Sequence, residues 1–215
     1  MENKVLNDAF KWLFVGLLIC FGISFGLANN EDLFMAVFGL FNGMAIFVYV
    51  ILELALAIYL SVRIAKMSPT VAKVLYVVYT ILTGISLTGI VMAYTATSIA
   101  FVFLATAIIF GVFAIIGKTS KMDLTKFGTY LFVALISILI ITVINIFVGS
   151  DSLTMLLCIA GILVFAGYTA YDVQYALQRT SSLGENAGVY CAFQLFLDFI
   201  NLFIKLLRLF GKRND

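Results

Sequence analysis

The chain has 215 residues, 64% of them hydrophobic and 11% charged, with a net charge of +2. That balance excludes a water-soluble globular domain and leaves no electrostatic footprint for nucleic acid. It fits an all-α integral membrane protein, one domain over residues 1–215, whose length is taken up by membrane spans and short connectors within a lipid bilayer.

Seven apolar runs meet the requirement of roughly 20 residues per crossing. They lie near Trp12 to Leu27, Leu33 to Val62, Val71 to Ala93, Ile99 to Ile116, Phe127 to Val148, Leu153 to Leu177 and Tyr190 to Phe210. The first has the outline of a secretory signal, with Lys4 and Lys11 ahead of it and Ala28 behind, and is read as a retained span. The second is long enough to tilt or to project from the bilayer. Ser68-Pro69 predicts the N-cap and first position of the third helix. Pro69 is the sole proline, so proline kinks within the spans are not expected. Gly22 and Gly26, like Gly39 and Gly43, have the GxxxG spacing of close helix packing.

Lysine and arginine accumulate in cytoplasmic connections. Here they fall in the N-terminal tail (Lys4, Lys11) and in the second (Arg63, Lys66, Lys73), fourth (Lys118, Lys121, Lys126) and sixth (Arg179) connections. The first, third and fifth connections have none, which predicts a multi-pass protein with a cytoplasmic N-terminus. The basic C-terminus, with Lys205, Arg208, Lys212 and Arg213, disagrees with seven crossings. The seventh helix either crosses against the rule or is re-entrant, and crossing is the reading adopted.

Cys20, Cys158 and Cys191 sit singly in apolar runs, where a thiol behaves as a small buried hydrophobe. Histidine is absent, which removes the usual transition-metal ligand and neutral-pH switch. A bound cation would have to be a hard one held by oxygen, and carboxylates would have to do any pH sensing.

Ionisable groups at membrane depth are costly and mark candidate sites. On the seventh helix Gln194, Asp198, Asn201, Lys205, Arg208 and Lys212 recur at spacings of four and three, forming one stripe at about 100° per residue. Tyr168, Asp172, Tyr175 and Arg179 form a matching stripe on the sixth. A short connection near Thr180 to Gly188 makes these helices antiparallel neighbours, with Asp172 and Asp198 offset in depth by roughly 7 Å at 1.5 Å rise per residue. If the carboxyls meet, they cannot both ionise cheaply, and the proton they share belongs to the pair. Deprotonated, the pair is an oxygen site for calcium.

Glu53 lies deep in the second span, and Arg63 near its inner end could snorkel or reach Asp172 as a latch. The plainer readings are a static interhelical hydrogen bond for each aspartate, a topogenic charge for Arg63, interfacial anchors for the tyrosines, and membrane-interface markers for Lys205 and Arg208.

AYDVQYAL (Ala170 to Leu177) followed by LFLDFINLFIKLLRLFG (Leu195 to Gly211) resembles the paired sixth and seventh helix signature of the Bax inhibitor-1 family. This family is also called the transmembrane Bax inhibitor motif or Lifeguard family. LYVVYTILTGISL (Leu75 to Leu87) and AFVFLATAIIFG (Ala100 to Gly111) resemble its third and fourth helices. The resemblance, to bacterial members in particular, implies seven transmembrane helices with the C-terminal helix central and wrapped by the other six. It also implies a pH-sensitive calcium leak, with Asp172 and Asp198 as the sensing pair and Glu53 as the acidic residue of the second helix. Arg63 is the nearest match to the arginine that closes the pore of bacterial relatives.

The expected function is therefore a cation leak channel of the bacterial inner or plasma membrane, carrying calcium under the control of protons and requiring no cofactor. Gln194, Asn201, Tyr168 and Tyr175 are further pore-lining candidates. An intramembrane aspartyl protease is disfavoured, because Asp198 lies in LFLDFIN rather than GxGD, so no enzyme is expected. A proton-coupled transporter would need repeats that are not evident. A regulatory membrane protein acting through partner proteins is the remaining alternative.

Overall fold

The computed structural model describes residues 2–39 and 44–214. In lipid a backbone must satisfy its own polar groups, and the chain does so with helices: α1 (Glu2–Ala28), α2 (Glu31–Phe38), α3 (Ala45–Arg63), α4 (Pro69–Ala93), α5 (Ala96–Thr119), α6 (Gly128–Val148), α7 (Asp151–Gln178), α8 (Thr180–Leu183) and α9 (Ala187–Phe210). Among the described residues no β-strand forms, and seven helical segments are long and apolar enough to cross a membrane.

Local signals set several boundaries. Ser68 caps α4 as expected, its hydroxyl accepting the Val71 N–H at 3.4 Å, with Pro69 opening the helix. Asn30 caps α2 by accepting the Leu33 N–H at 3.0 Å, and Glu31 and Asp32 place negative charge in that first turn, where the helix dipole favours it. Gly149 ends α6 at φ 68°, a left-handed conformation that glycine adopts without steric cost. On the connection before α6, the Thr125 hydroxyl donates to Asp123 and holds that exposed carboxyl below its usual pKa.

The second predicted span is corrected. It is not one helix from Leu33 to Val62: α2 stops at Phe38, Gly39 caps it, and α3 begins at Ala45. Thirty residues of helix would reach about 45 Å, well beyond a hydrocarbon core of about 30 Å. Glycine at position 39 also carries a helix penalty of about 1 kcal/mol. The remaining 22-residue segment, Ala45–Lys66, suits one crossing.

The chain divides into two compact units. The first comprises Met1–Thr95, Arg179–Phe193 and Arg213–Asp215. In it α1 packs on α4. Tyr76 donates to the Trp12 carbonyl at 2.9 Å, the two rings meet edge to face, and the Lys73 ammonium lies 5.7 Å from the indole centroid. Further along α1, the buried Ser24 hydroxyl lies 2.9 Å from the Cys20 carbonyl and 2.8 Å from that of Gly84. Gly84 is where the backbones approach: a Cβ there would stand 2.7 Å from the Cys20 oxygen.

The close packing expected at Gly22 and Gly26 is also corrected. An added Cβ at either position would meet nothing within 4 Å. The GxxxG spacing is present on α1, but its glycines face away from α4. Gly39 ends a helix rather than packing one, and Gly43 lies outside the described residues.

Asn186 closes the first unit from the connection after α8. Its amide donates to the carbonyls of Ile64 at 2.9 Å and Met67 at 2.7 Å. Asn186→Ala should cost about 1–3 kcal/mol by leaving these acceptors unmatched, read as a lower melting temperature in detergent.

The second unit comprises Ala96–Gln178 and Gln194–Lys212. Here α5 meets α7 at Gly117 and Ala170, and Gly128 at the start of α6 accommodates the Tyr171 ring. Asn145 fastens the α6–α7 turn, donating to Thr154 Oγ1 at 2.7 Å and accepting the Ser150 N–H at 3.1 Å. Phe199 of α9 packs between Phe103 and Phe110 of α5, with centroids 5.3 and 5.5 Å away. The span containing α9 is the most buried of the seven: 72% of its most apolar stretch is covered, against 11% in the spans of α3 and α6. Isoleucine, leucine and phenylalanine left exposed on α6, such as Phe147 at 86%, are the surface a lipid tail covers.

Candidate functional site

The second unit brings together the two acidic side chains singled out on the last two spans. Asp172 of α7 and Asp198 of α9 are only 4% and 3% exposed. Their carboxyl groups are in hydrogen-bond contact, so the expected depth offset is closed. The Gln194 side chain, one turn before Asp198 on α9, bonds to Asp172, and Thr169, one turn before Asp172 on α7, bonds to Asp198. The Thr169 hydroxyl also lies 2.9 Å from the Phe165 carbonyl of its own helix.

Two oxygens of this cluster, Asp198 Oδ2 and Gln194 Oε1, are buried without a hydrogen-bond partner among the described residues. Among the described residues no cation pairs with either aspartate; the Lys126–Asp123 salt bridge, at 3.9 Å, lies on the connection before α6. Carboxyl oxygens cannot hydrogen-bond each other without a proton between them. The cluster is thus rich in acceptors and poor in donors, a setting that takes a proton or a hard cation.

The other predicted residues are distributed as follows. Tyr168 is half-buried beside the pair and begins a ladder of rings along α7, its centroid 6.1 Å from Tyr171, which in turn stacks on Tyr175 at 5.6 Å. Asn201 turns its amide back onto the Leu197 carbonyl of its own helix at 2.8 Å. Glu53 and Arg63 belong to the first unit. There Glu53 accepts the Thr83 hydroxyl at 2.8 Å, while Arg63 is exposed in the last turn of α3, where a cation suits the negative end of the helix dipole. Among the described residues no three acidic, cysteine or histidine side chains gather as a metal cluster. An ion at the aspartate pair would therefore draw further oxygens from neutral groups such as Gln194 and Thr169.

Sequence reasoning missed Thr169 and Gln174. Thr169 was legible as the residue three before Asp172, on the same helical face. Gln174 stands off the polar stripe, yet it is buried at 7% and anchors the α5–α6 connection. Its amide donates to the carbonyls of Met122 at 2.9 Å and Ser120 at 3.3 Å, and its Oε1 accepts the Leu124 N–H at 2.6 Å. Gln174→Leu should free residues 120–124, costing about 1–3 kcal/mol and raising their amide exchange while leaving the spans protected.

Comparison with known proteins gives a match over residues 2–215 to the family described as "Inhibitor of apoptosis-promoting Bax1". The Escherichia coli K12 inner membrane protein YbhL is 37% identical, with 97% of this chain and 91% of that protein covered. An uncharacterized protein of Borreliella burgdorferi is 35% identical over 100% of this chain and 94% of its own length. An uncharacterized membrane protein of Streptococcus pyogenes serotype M1 is 36% identical over 77% of this chain and 73% of its own length.

Proposed function

Because the chain belongs to the Bax inhibitor-1 family, we propose that this membrane protein is a pH-sensitive cation leak channel with calcium as its cargo and the Asp172–Asp198 pair as its proton-sensing ion site. The observation that carries this reading is the contact between two buried carboxyls with, among the described residues, no cation paired to them and two acceptor oxygens unpartnered. A proton between the carboxyls satisfies the pair. When it leaves, the same oxygens hold a divalent cation, so protons and calcium compete for one place. The relative YbhL supports placing the protein in a bacterial inner membrane, and the lysine pattern supports a cytoplasmic N-terminus.

In this reading the conducting step is a displacement among helices, biased by the protonation state of the pair. Arg63 is a candidate gate residue on α3, and Arg63→Gln should raise resting flux at least about two-fold. No resident cofactor or catalytic step is invoked.

The test is calcium flux into liposomes holding the purified protein, measured with a trapped indicator between pH 6 and pH 8. Flux above that of empty vesicles, with a pH dependence that Asp172→Asn and Asp198→Asn remove, is the expected result. Wild-type vesicles as tight as empty ones at every pH would leave the regulatory alternative. An identical pH profile in both variants would refute the sensing role.

A further inference from the structure

A second polar feature of the second unit lies away from the aspartate pair. A cavity of about 170 Å³ is lined by Thr142, Asn145, Thr154 and Cys158 of α6 and α7 together with Lys205 and Arg208 of α9. By the same measure a water needs roughly 10–15 Å³, so a tetrahedral oxyanion fits with room to spare. The cavity runs from Arg208, which is exposed, to Lys205, which is half-buried.

The Lys205 stem is held in place. It crosses α7 at Gly161, where an added Cβ would stand 3.0 Å from its Cε and 3.2 Å from its Cγ. A side chain at position 161 would occupy that path. Neither cation has a carboxylate partner among the described residues.

The neutral polar groups around the cavity are already committed. Thr142 donates to Ile138 at 2.7 Å, Thr154 to Ser150 at 3.0 Å, and the Asn145 amide to Thr154 and Ser150. They line the walls and leave the positive charge unanswered. The negative end of the α9 dipole accounts for Arg208 in the last turn. It does not account for Lys205, more than a turn from the helix end and partly covered, because an unpaired charge removed from water is expensive.

We propose that this cavity is a binding site for a phosphate-class oxyanion, with Lys205 and Arg208 as its two ligating cations and Gly161 as the residue that seats Lys205. A phosphodiester of an anionic lipid headgroup and a free phosphate share this chemistry. Anionic headgroups are commonly taken up by basic pockets between membrane helices.

The experiment uses the full chain in a neutral detergent, delipidated and then titrated separately with short-chain phosphatidylglycerol, short-chain phosphatidylcholine and inorganic phosphate. Occupancy is read by native mass spectrometry and by the shift in melting temperature. Phosphatidylglycerol retained at least about ten-fold better than phosphatidylcholine assigns the source to lipid. Protection by inorganic phosphate alone, at the same residues, assigns it to a free anion. In either case Lys205→Gln and Arg208→Gln should each weaken binding about five-fold, and Gly161→Leu should weaken it by displacing the lysine. Lys212→Gln, outside the cavity, should leave it unchanged.

Equal retention of the two lipids with no effect of phosphate overturns the proposal, as does binding that survives Lys205→Gln and Arg208→Gln together. These readouts do not involve calcium flux, so the site stands or falls independently of the channel reading.

Discussion

Replacing both Asp172 and Asp198 by leucine is expected to leave the protein at least as stable as the wild type while abolishing pH-dependent calcium transport. The reason lies in what the pair costs. Both carboxyls are nearly fully buried, and among the described residues no cation pairs with them, while two acceptor oxygens of the cluster go unsatisfied. Exchanging buried ionic groups for apolar residues of similar volume is commonly neutral or stabilising, here by up to about 4 kcal/mol. A clear loss of stability with both substitutions would instead show that the pair holds α7 to α9.

The single amide variants separate the roles further. The side-chain amide introduced by Asp198→Asn can donate an N–H to the Asp172 carboxylate, so it imitates the protonated partner and cannot lose its hydrogen. Wild-type calcium affinity should weaken as pH falls, by up to about ten-fold per pH unit, the limit for one exchanged proton. Asp198→Asn should compress that slope to less than about two-fold while keeping the fold. Calorimetric melting, together with calcium binding at three pH values, measures both effects on the same samples. A stable amide variant with an unchanged slope would detach proton sensing from these carboxyls.

The second large effect is expected at Gly117. A Cβ at this position would fall onto the Ala170 peptide, 2.9 Å from its carbonyl carbon, and the obstacle is backbone, which cannot rotate away. Gly117→Val must push α5 and α7 apart, at a cost of about 1–3 kcal/mol or more for overpacking. Because α7 also carries Asp172, the variant should lower the melting temperature and disturb ion binding together. Gly26→Val provides the contrast, since nothing lies within 4 Å of its Cβ, and its effect should remain within about 0.5 kcal/mol. Comparable losses at the two positions would contradict the helix contacts described above.

Most of the helical framework and the acidic pair could be read directly from the residues, and the reasons are physical. Spans declare themselves through continuous apolar length, and Ser68-Pro69 announces a helix start by hydrogen-bond chemistry. Asp172 and Asp198 stand out because charge at membrane depth is rare. The break after Phe38 was hidden because apolar residues continue on both sides of it, and hydropathy does not register where a helix ends. Gly22 and Gly26 misled because spacing alone does not say which face of α1 meets α4. Gln174 stands outside that pattern because it lies off the polar stripe, where its work is to hold a connection rather than to join the aspartate pair.

The position of the sole proline has a mechanical consequence. Pro69 opens α4, where it replaces an N–H that would have gone unpaired in any case, and no other span contains the residue that most often lets a helix flex at mid-length. If the protein opens a path as proposed, proline hinges are not the means. Sliding or rocking of whole helices would then serve instead, and the glycine contacts at Gly84 and Gly117, where backbone runs against backbone, would be its bearings.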